Sequence, residues 1–290
     1  MSDKLLTIGF ATYNDFDGAW FTIQSILLYH PEVLDKIKFI IIENNPDSDH
    51  GRGLAKAVKS VSNGSKPDID IKIIDNNSWN STACRDLIFR YSDTLYTLCM
   101  DSHVMIQAGG INSLIEHMIK FKGTGQLIHG PMLSQGNGNI TVSMKPEWGG
   151  GMYGRWDSST LDKYNTHKDI NQSFDIEMHG MGLFACETSK WLGFNPAFRG
   201  FGGEEGYIHK KFKNQGCRVV CLPSLVWIHR FDRPSGVPYR LKMIDRITNY
   251  AIGWKEVGLD LEEMIDHFAT LNVKDLETRE KLEDYVYSLI

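Results

Sequence analysis

The chain is predicted to be an α/β protein with a mostly parallel central sheet flanked by helices and a helical C-terminal extension. Three observations carry this: apolar strand-like runs alternate with helical periodicities over the first hundred residues, the runs end in polar tips, and the tail is helix-rich. Residues 5–11 (LLTIGFA) form a short apolar run closing on Thr12, Tyr13 and Asn14, a buried strand followed by a loop. Trp20, Ile23, Ile26, Leu27 and Leu28 recur at helical spacing, and Pro31 ends that helix. Residues 37–42 (IKFIII) are β-branched and lead into Glu43, Asn44, Asn45 and Pro46, a second buried strand with a polar tip. Leu54, Ala55, Val58 and Val61 fit a helix that stops at Asn63-Gly64. Residues 69–74 read as a third strand, 82–91 as helical, and 95–100 (LYTLCM) as a fourth strand ending in Asp101, Ser102 and His103. Strand–helix alternation at this spacing implies parallel pairing through right-handed crossovers.

The middle changes character. Residues 126–131 read as a strand, and 139–144 as one arm of a hairpin. Residues 146–156 (PEWGGGMYGRW) are too glycine-rich for an interior element and too aromatic for a plain linker. Residues 157–173 read as a polar surface excursion, 181–186 as a strand, and 205–213 as a helix with Gly216 at its end. Residues 218–222 and 226–229 are again strand-like. From Tyr239 onward Ile244, Ile247, Ala251 and Trp254, then Leu261, Met264, Ile265 and Phe268, follow helical spacing. No long flexible linker precedes this tail, so it is expected to pack on the same body.

Composition narrows the function classes. The 290 residues are 42% hydrophobic and 23% charged, enough to bury a sizeable core and unlike a disordered chain. A net charge of -5 argues against a polycation that holds nucleic acid or anionic lipid by bulk charge. No apolar run approaches the ~20 residues of a membrane span. The first residues lack the apolar stretch of a secretory signal, and the five cysteines contain no CxxC pair. Both features predict a cytoplasmic protein with reduced thiols.

In parallel sheets, ligands bind beyond the carboxyl ends of the strands. Three strands deliver polar tips there: Thr12, Tyr13 and Asn14; Glu43, Asn44 and Asn45; Asp101, Ser102 and His103. Asp101 and His103, two apart in extended backbone, point the same way. Their oxygen and nitrogen donors suit Mn²⁺, Fe²⁺ or Zn²⁺ better than Ca²⁺. His229, ending the apolar run Leu225-Val226-Trp227-Ile228, is the candidate third ligand. A second cluster is Phe201-Gly202-Gly203-Glu204-Glu205, whose glycines admit a close ligand. Its carboxylates open a helix, where they also fit as plain capping groups.

The order of these motifs resembles the GT-A glycosyltransferases that use nucleotide sugars, most of all the catalytic domain of the polypeptide N-acetylgalactosaminyltransferases. The matching segments are Asp101-Ser102-His103, Gly180-Met181-Gly182-Leu183-Phe184, Phe201-Gly202-Gly203-Glu204, His229, and Pro238-Tyr239. The resemblance covers roughly residues 5–255. It implies a Rossmann-like GT-A catalytic domain over 1–238, with a nucleotide-binding half at 1–105 and a sugar and acceptor half at 106–238. Residues 239–290 would form the helical extension. It implies a UDP-sugar donor, Mn²⁺ or Mg²⁺, and transfer of a hexose or N-acetylhexosamine. By the same resemblance Thr12, with the adjoining Tyr13 and Asn14, contacts the uridine, Glu43 lies at the base or ribose, Ser102 beside the ribose, and Arg85 near the diphosphate. Asp101, His103 and His229 hold the metal, while Met181, Gly182 and Glu204 line the donor sugar. Arg230 or Arg233, with Tyr239, contacts the departing diphosphate.

Departures are specific. Phe201 stands where the family has Trp, and Met181 replaces a glycine, narrowing the sugar pocket. The His229 to Pro238-Tyr239 spacing is longer than the family's, so which arginine serves is left open. The family's lectin domain, stem and signal find no match, and a bacterial or viral cytoplasm is expected. The motif order implies retention of anomeric configuration. Glu205, however, lies where inverting β-galactosyltransferases place their general base, so inversion stays open. Trp148, Tyr153 and Trp156 either flap over the sugar or pin a loop to the core. The acceptor could be a protein side chain, a glycan or a modified nucleic acid, and the oligomeric state is open. A nucleotidyltransferase on a related sheet is the alternative, disfavoured because no Gly-rich, Lys/Arg-bearing loop follows the first strand.

Overall fold

The computed structural model of the chain describes residues 4–290 apart from 65–68, 79–80, 136–137, 158, 160, 167–168, 170–171 and 233–235. The N-terminal part runs β1 (Leu6–Thr12), α1 (Phe16–Tyr29), β2 (Ile37–Glu43), α2 (Asp49–Gly64), β3 (Ile71–Asp75), α3 (Asp86–Tyr91) and β4 (Tyr96–Asp101). Next come β5 (Val104–Ile106), α4 (Gly110–Lys120), β6 (Leu127–His129), β7 (Met132–Leu133), β8 (Ile140–Thr141), β9 (Met144–Gly149), β10 (Met152–Trp156) and α5 (Leu161–Thr166). The chain closes with β11 (Phe174–Asp175), β12 (Leu183–Glu187), α6 (Glu205–Asn214), β13 (Val219–Cys221), β14 (Trp227–His229), α7 (Met243–Val257), α8 (Leu261–Ala269) and α9 (Arg279–Tyr287).

The main sheet has the order β11-β13-β6-β12-β4-β1-β2-β3. The β4-β1-β2-β3 block is parallel, as the strand–helix alternation predicts. β12 enters antiparallel between β4 and β6, pairing Leu183 with Met100 and Glu187 with Tyr96. The alternation of strand side chains sorts the apolar residues to two faces. Ile8, Phe10, Phe39 and Ile41 bury against α1 and α4 on one side, and Ile40, Ile42 and Cys99 join the core with α6, α7 and α8 on the other. Burial on both faces is why β1 and β2 read as continuous apolar runs rather than alternating ones. β3 closes the sheet as an edge strand and keeps the half-exposed pattern that goes with that position.

A smaller sheet, β5-β14-β7-β8, sits beside the tip of β4. Its β5–β14 pairing is antiparallel and sets His229 opposite Val104, next to His103. This register brings the two ends of the predicted metal motif together across 126 positions.

Three expectations change. Residues 146–156, read as neither an interior element nor a plain linker, form the β9–β10 hairpin. Its turn uses Gly150 at φ +57, and Trp148 lies 4.8–5.6 Å, ring centroid to centroid, from Tyr153, Tyr250, Trp254, His267 and Phe268. The Tyr153 amide donates to Tyr250 Oη at 2.7 Å, and Arg246 donates to the Gly151 carbonyl at 2.9 Å. Trp148 and Tyr153 therefore pin the hairpin to the C-terminal helices, while Trp156 remains 45% exposed. Residues 139–144 split between β8, paired with β7, and the start of β9. Residues 82–91 begin as a 3-10 turn (Thr82–Arg85) before α3. The surface excursion at 157–173 carries α5, and several of its residues lie outside those described. All five cysteines are free, with Cys99, Cys186 and Cys221 buried. Among the described residues no helix is long and apolar enough to cross a membrane.

Candidate active site

A cavity of about 450 Å³ opens beyond the carboxyl ends of β1, β2 and β4. One wall comes from the loops after those strands, including Thr12, Tyr13, Asn44, Asp101, Ser102 and His103. The opposite wall comes from Met181, Gly182, Phe201, Glu204 and Glu205, with Trp156 at its rim. Segment 230–242 adds Phe231, Val237, Tyr239 and Leu241. Tyr239 packs on Phe201 at 5.7 Å and edge-on to Tyr13 at 6.3 Å, so it links the two walls.

At the tip of β4 the three predicted ligands meet. His103 Nε2 lies 3.1 Å from His229 Nε2, and His229 Nε2 lies 3.1 Å from Asp101 Oδ2. One donor atom from each of the three falls within 4.8 Å of the others, the convergence a single divalent cation requires. Two imidazole nitrogens facing each other beside a carboxylate share one proton poorly and one cation well, so the donor set fits a metal of the Mn²⁺ class. Burial alone would raise the Asp101 pKa, but the hydrogen bond from His229 and the charges of His229, His103 and Arg85 hold it well below the usual carboxylate range. Gly182 donates the space: a Cβ there would lie 2.9 Å from the Trp227 ring and 3.3 Å from Asp101 Oδ2.

The two adjacent carboxylates of the opposite wall, Glu204 and Glu205, differ from each other. Glu204 is buried and bound to Arg85 Nη2 at 2.8 Å. Arg85 also donates to the carbonyls of Thr82 and Met181, so its fork holds Glu204 and the β12 approach in place. Glu205 opens α6, and its Oε2 is buried without a hydrogen-bond partner. Burial, then the adjacent Glu204 charge, pushes the Glu205 pKa up to about 8.

Other predicted residues stand as follows. Thr12, Tyr13, Ser102, Met181, Gly182 and Tyr239 line the cavity. Asn14, at φ +50, accepts from Asn45 Nδ2 at 2.9 Å and braces two loops. Glu43 is not among the residues that line the cavity, whereas Asn44 is; the Glu43 Oε1 accepts from the Asn45 amide at 2.9 Å, and burial raises its pKa to about 7. Arg85 lines the cavity, and its guanidinium donates to the Thr82 and Met181 carbonyls and to Glu204. The Arg230 amide donates to the His103 carbonyl at 3.0 Å, and its side chain is not among the lining groups. Arg233 lies outside the described residues. Sequence reasoning missed Asp15, whose Oδ2 lies 2.8 Å from His103 Nδ1, and the apolar rim formed by Phe231, Val237 and Leu241. The only signal for Asp15 was a carboxylate in the loop after the first strand.

No family model and no curated protein matches the chain. Solved structures do. GalNAc-T7 with UDP, GalNAc and Mn²⁺ superposes with a TM-score of 0.70 at 13% identity, over 98% of this chain and 57% of that one. The mannosyltransferase PcManGT from Pyrobaculum calidifontis, with GDP-Man and Mn²⁺, gives 0.56 at 12% identity over 98% of this chain and 74% of that one. S. aureus TarS 1-349 gives 0.53 at 11% identity, over 99% and 83%. This chain thus spans a little over half of the GalNAc-T7 chain. With a mixed sheet of this order and a carboxylate–histidine cluster at the tip of its fourth strand, the chain has the GT-A glycosyltransferase fold.

Proposed function

We propose that the chain is a metal-dependent glycosyltransferase that moves a hexose or N-acetylhexosamine from a UDP-sugar to an acceptor hydroxyl with retention. The observation that carries this reading is the convergence of Asp101, His103 and His229 at the rim of the cavity. These three would hold the cation. When bound, a divalent ion of this class neutralises the diphosphate and the charge that develops on it as the sugar leaves. It also lets a chain of net charge -5 bind a nucleotide diphosphate.

The chain's own residues supply the rest. Thr12, Tyr13 and Asn44 present hydrogen-bonding groups to a nucleoside at the ends of β1 and β2. Arg85 orients Glu204, whose free Oε2 accepts from sugar hydroxyls. Met181, Trp156 and Phe201 enclose the sugar and exclude water. Tyr239 closes the diphosphate end.

One observation favours a second stereochemical course. Glu205 lines the cavity with an unpartnered oxygen and a raised proton affinity, the properties of a general base for direct displacement with inversion. Release of UDP from a panel of UDP-sugars without acceptor tests the reading and ranks donors. Release from one or a few sugars, dependent on added Mn²⁺, is expected. Pyrophosphate release from a nucleoside triphosphate instead would replace the reading with a nucleotidyltransferase.

A further inference from the structure

Asp15 lies in the loop between β1 and α1, three residues past the end of the first strand. Its Oδ1 accepts from the Gly18 amide at 3.2 Å, which makes it the N-cap of α1. Its Oδ2 does something a cap does not require: it accepts from Ser102 Oγ at 2.8 Å and lies 2.8 Å from His103 Nδ1. The carboxylate is 13% exposed, so these contacts are made largely out of solvent. One side chain of the first loop thus grips the motif at the end of the fourth strand.

The hydrogen-bond chemistry has a definite sense. An imidazole nitrogen facing a carboxylate oxygen carries the ring proton. The Ser102 hydroxyl, 3.2 Å from the same ring nitrogen, spends its own proton on Asp15, so hydroxyl and ring converge on one oxygen. His103 then bears its proton on Nδ1 and turns the Nε2 lone pair toward His229 and Asp101.

A second, independent feature protects the arrangement. Gly18 sits in the first turn of α1, where glycine is a weak helix former. A Cβ at Gly18 would lie 2.4 Å from Asp15 Oδ2 and 2.8 Å from its Cγ. Its missing side chain leaves room for the carboxylate in the position from which it reaches both Ser102 and His103.

We infer that Asp15, kept in place by Gly18, is a positioning residue of the metal site: it fixes His103 in the tautomer that offers Nε2 to the cation. The inference rests on the metal-dependent reading above. It assigns Asp15 no contact with the sugar or the nucleotide.

The test measures binding of Mn²⁺ alone by electron paramagnetic resonance for wild type, Asp15→Ser and Gly18→Ala. Serine also caps helices, so Asp15→Ser keeps α1 while removing the carboxylate. Thermal unfolding without metal is the control for folding. The expected result is 10–100-fold weaker Mn²⁺ binding by Asp15→Ser with its unfolding little changed. Gly18→Ala is expected to weaken binding in the same direction with Asp15 intact. Nitrogen-15 shifts of His103 in the metal-free wild type are expected to report protonated Nδ1 and bare Nε2. Equal Mn²⁺ affinity in wild type and Asp15→Ser, or a His103 protonated on Nε2, overturns the inference and leaves the metal-dependent reading standing. Absence of Mn²⁺ binding by wild type overturns both.

Discussion

Arg85 and Glu204 lie 119 positions apart in sequence and meet at 2.8 Å, with side chains 7% and 3% exposed. A buried pair of this kind is weak evidence of net stabilisation, but removing one partner strands the other charge. Arg85→Met is therefore expected to lower the unfolding free energy by about 3–5 kcal/mol in denaturant titration. Adding Glu204→Leu should recover part of that loss, because no unpaired charge then remains. Glu205 separates the two stereochemical courses. Its carboxyl holds its proton up to about pH 8, so glutamine mimics its neutral form. If transfer proceeds with retention, Glu205→Gln keeps most of its kcat. If Glu205 is the base, kcat/KM rises with pH toward about 8 and Glu205→Gln loses at least ~100-fold. The anomeric proton coupling of the product decides independently. At this scale the sequence was informative where a residue ends a strand. Asp101, His103 and His229 were legible because strand tips face one rim. Asp15 was not, because its role depends on a contact across 88 positions that no local pattern encodes.

Helix α6 rests on a group of three buried histidines. His209 Nε2 lies 3.0 Å from His129 Nε2 and accepts from the His179 amide at 3.2 Å, and His209 Nδ1 reaches the Glu205 carbonyl. Burial pushes the pKa of His179 down to about 4 and that of His209 to about 3, while burial and the neighbouring histidines hold His129 well below 6.5. The unfolded chain binds protons on these rings near pH 6.5 and the folded chain does not. Their contribution is thus fully present above 6.5 and is lost as pH falls toward the folded values. Buried Glu43 and Glu205 act oppositely, their contribution falling as pH rises from 4.5 toward about 7 and 8. The comparison of variants isolates the histidines. From pH 7 to pH 5, wild type should lose more unfolding free energy than His209→Gln, whose amide can still accept from His179. Equal losses in denaturant titrations at the two pH values would contradict this. Among the elements, the first four strands were legible because burial on both faces writes an unbroken apolar run. The β9–β10 hairpin was not. Its three consecutive glycines read as flexibility, and the aromatic groups that order it, Tyr250, Trp254, His267 and Phe268, follow about a hundred residues later.

For the molecule as a whole, the parallel block supplies three loops to one rim, and the small β5-β14-β7-β8 sheet adds His229 from the far end of the chain. The helices α7, α8 and α9 belong to the same core as α6 and the hairpin, so the C-terminal segment supports the cavity wall that carries Glu204 and Glu205 rather than standing apart. Under the proposed function, this organisation couples nucleotide binding to the cation. The direct measurement is calorimetric titration of UDP into the protein with and without Mn²⁺, repeated on Asp101→Ala and His103→Ala. UDP is predicted to bind wild type at least ~10-fold more tightly with Mn²⁺, and the variants should lose that gain while remaining folded. Binding of UDP that is absent in every condition, or unchanged by Mn²⁺ in wild type, would contradict the account.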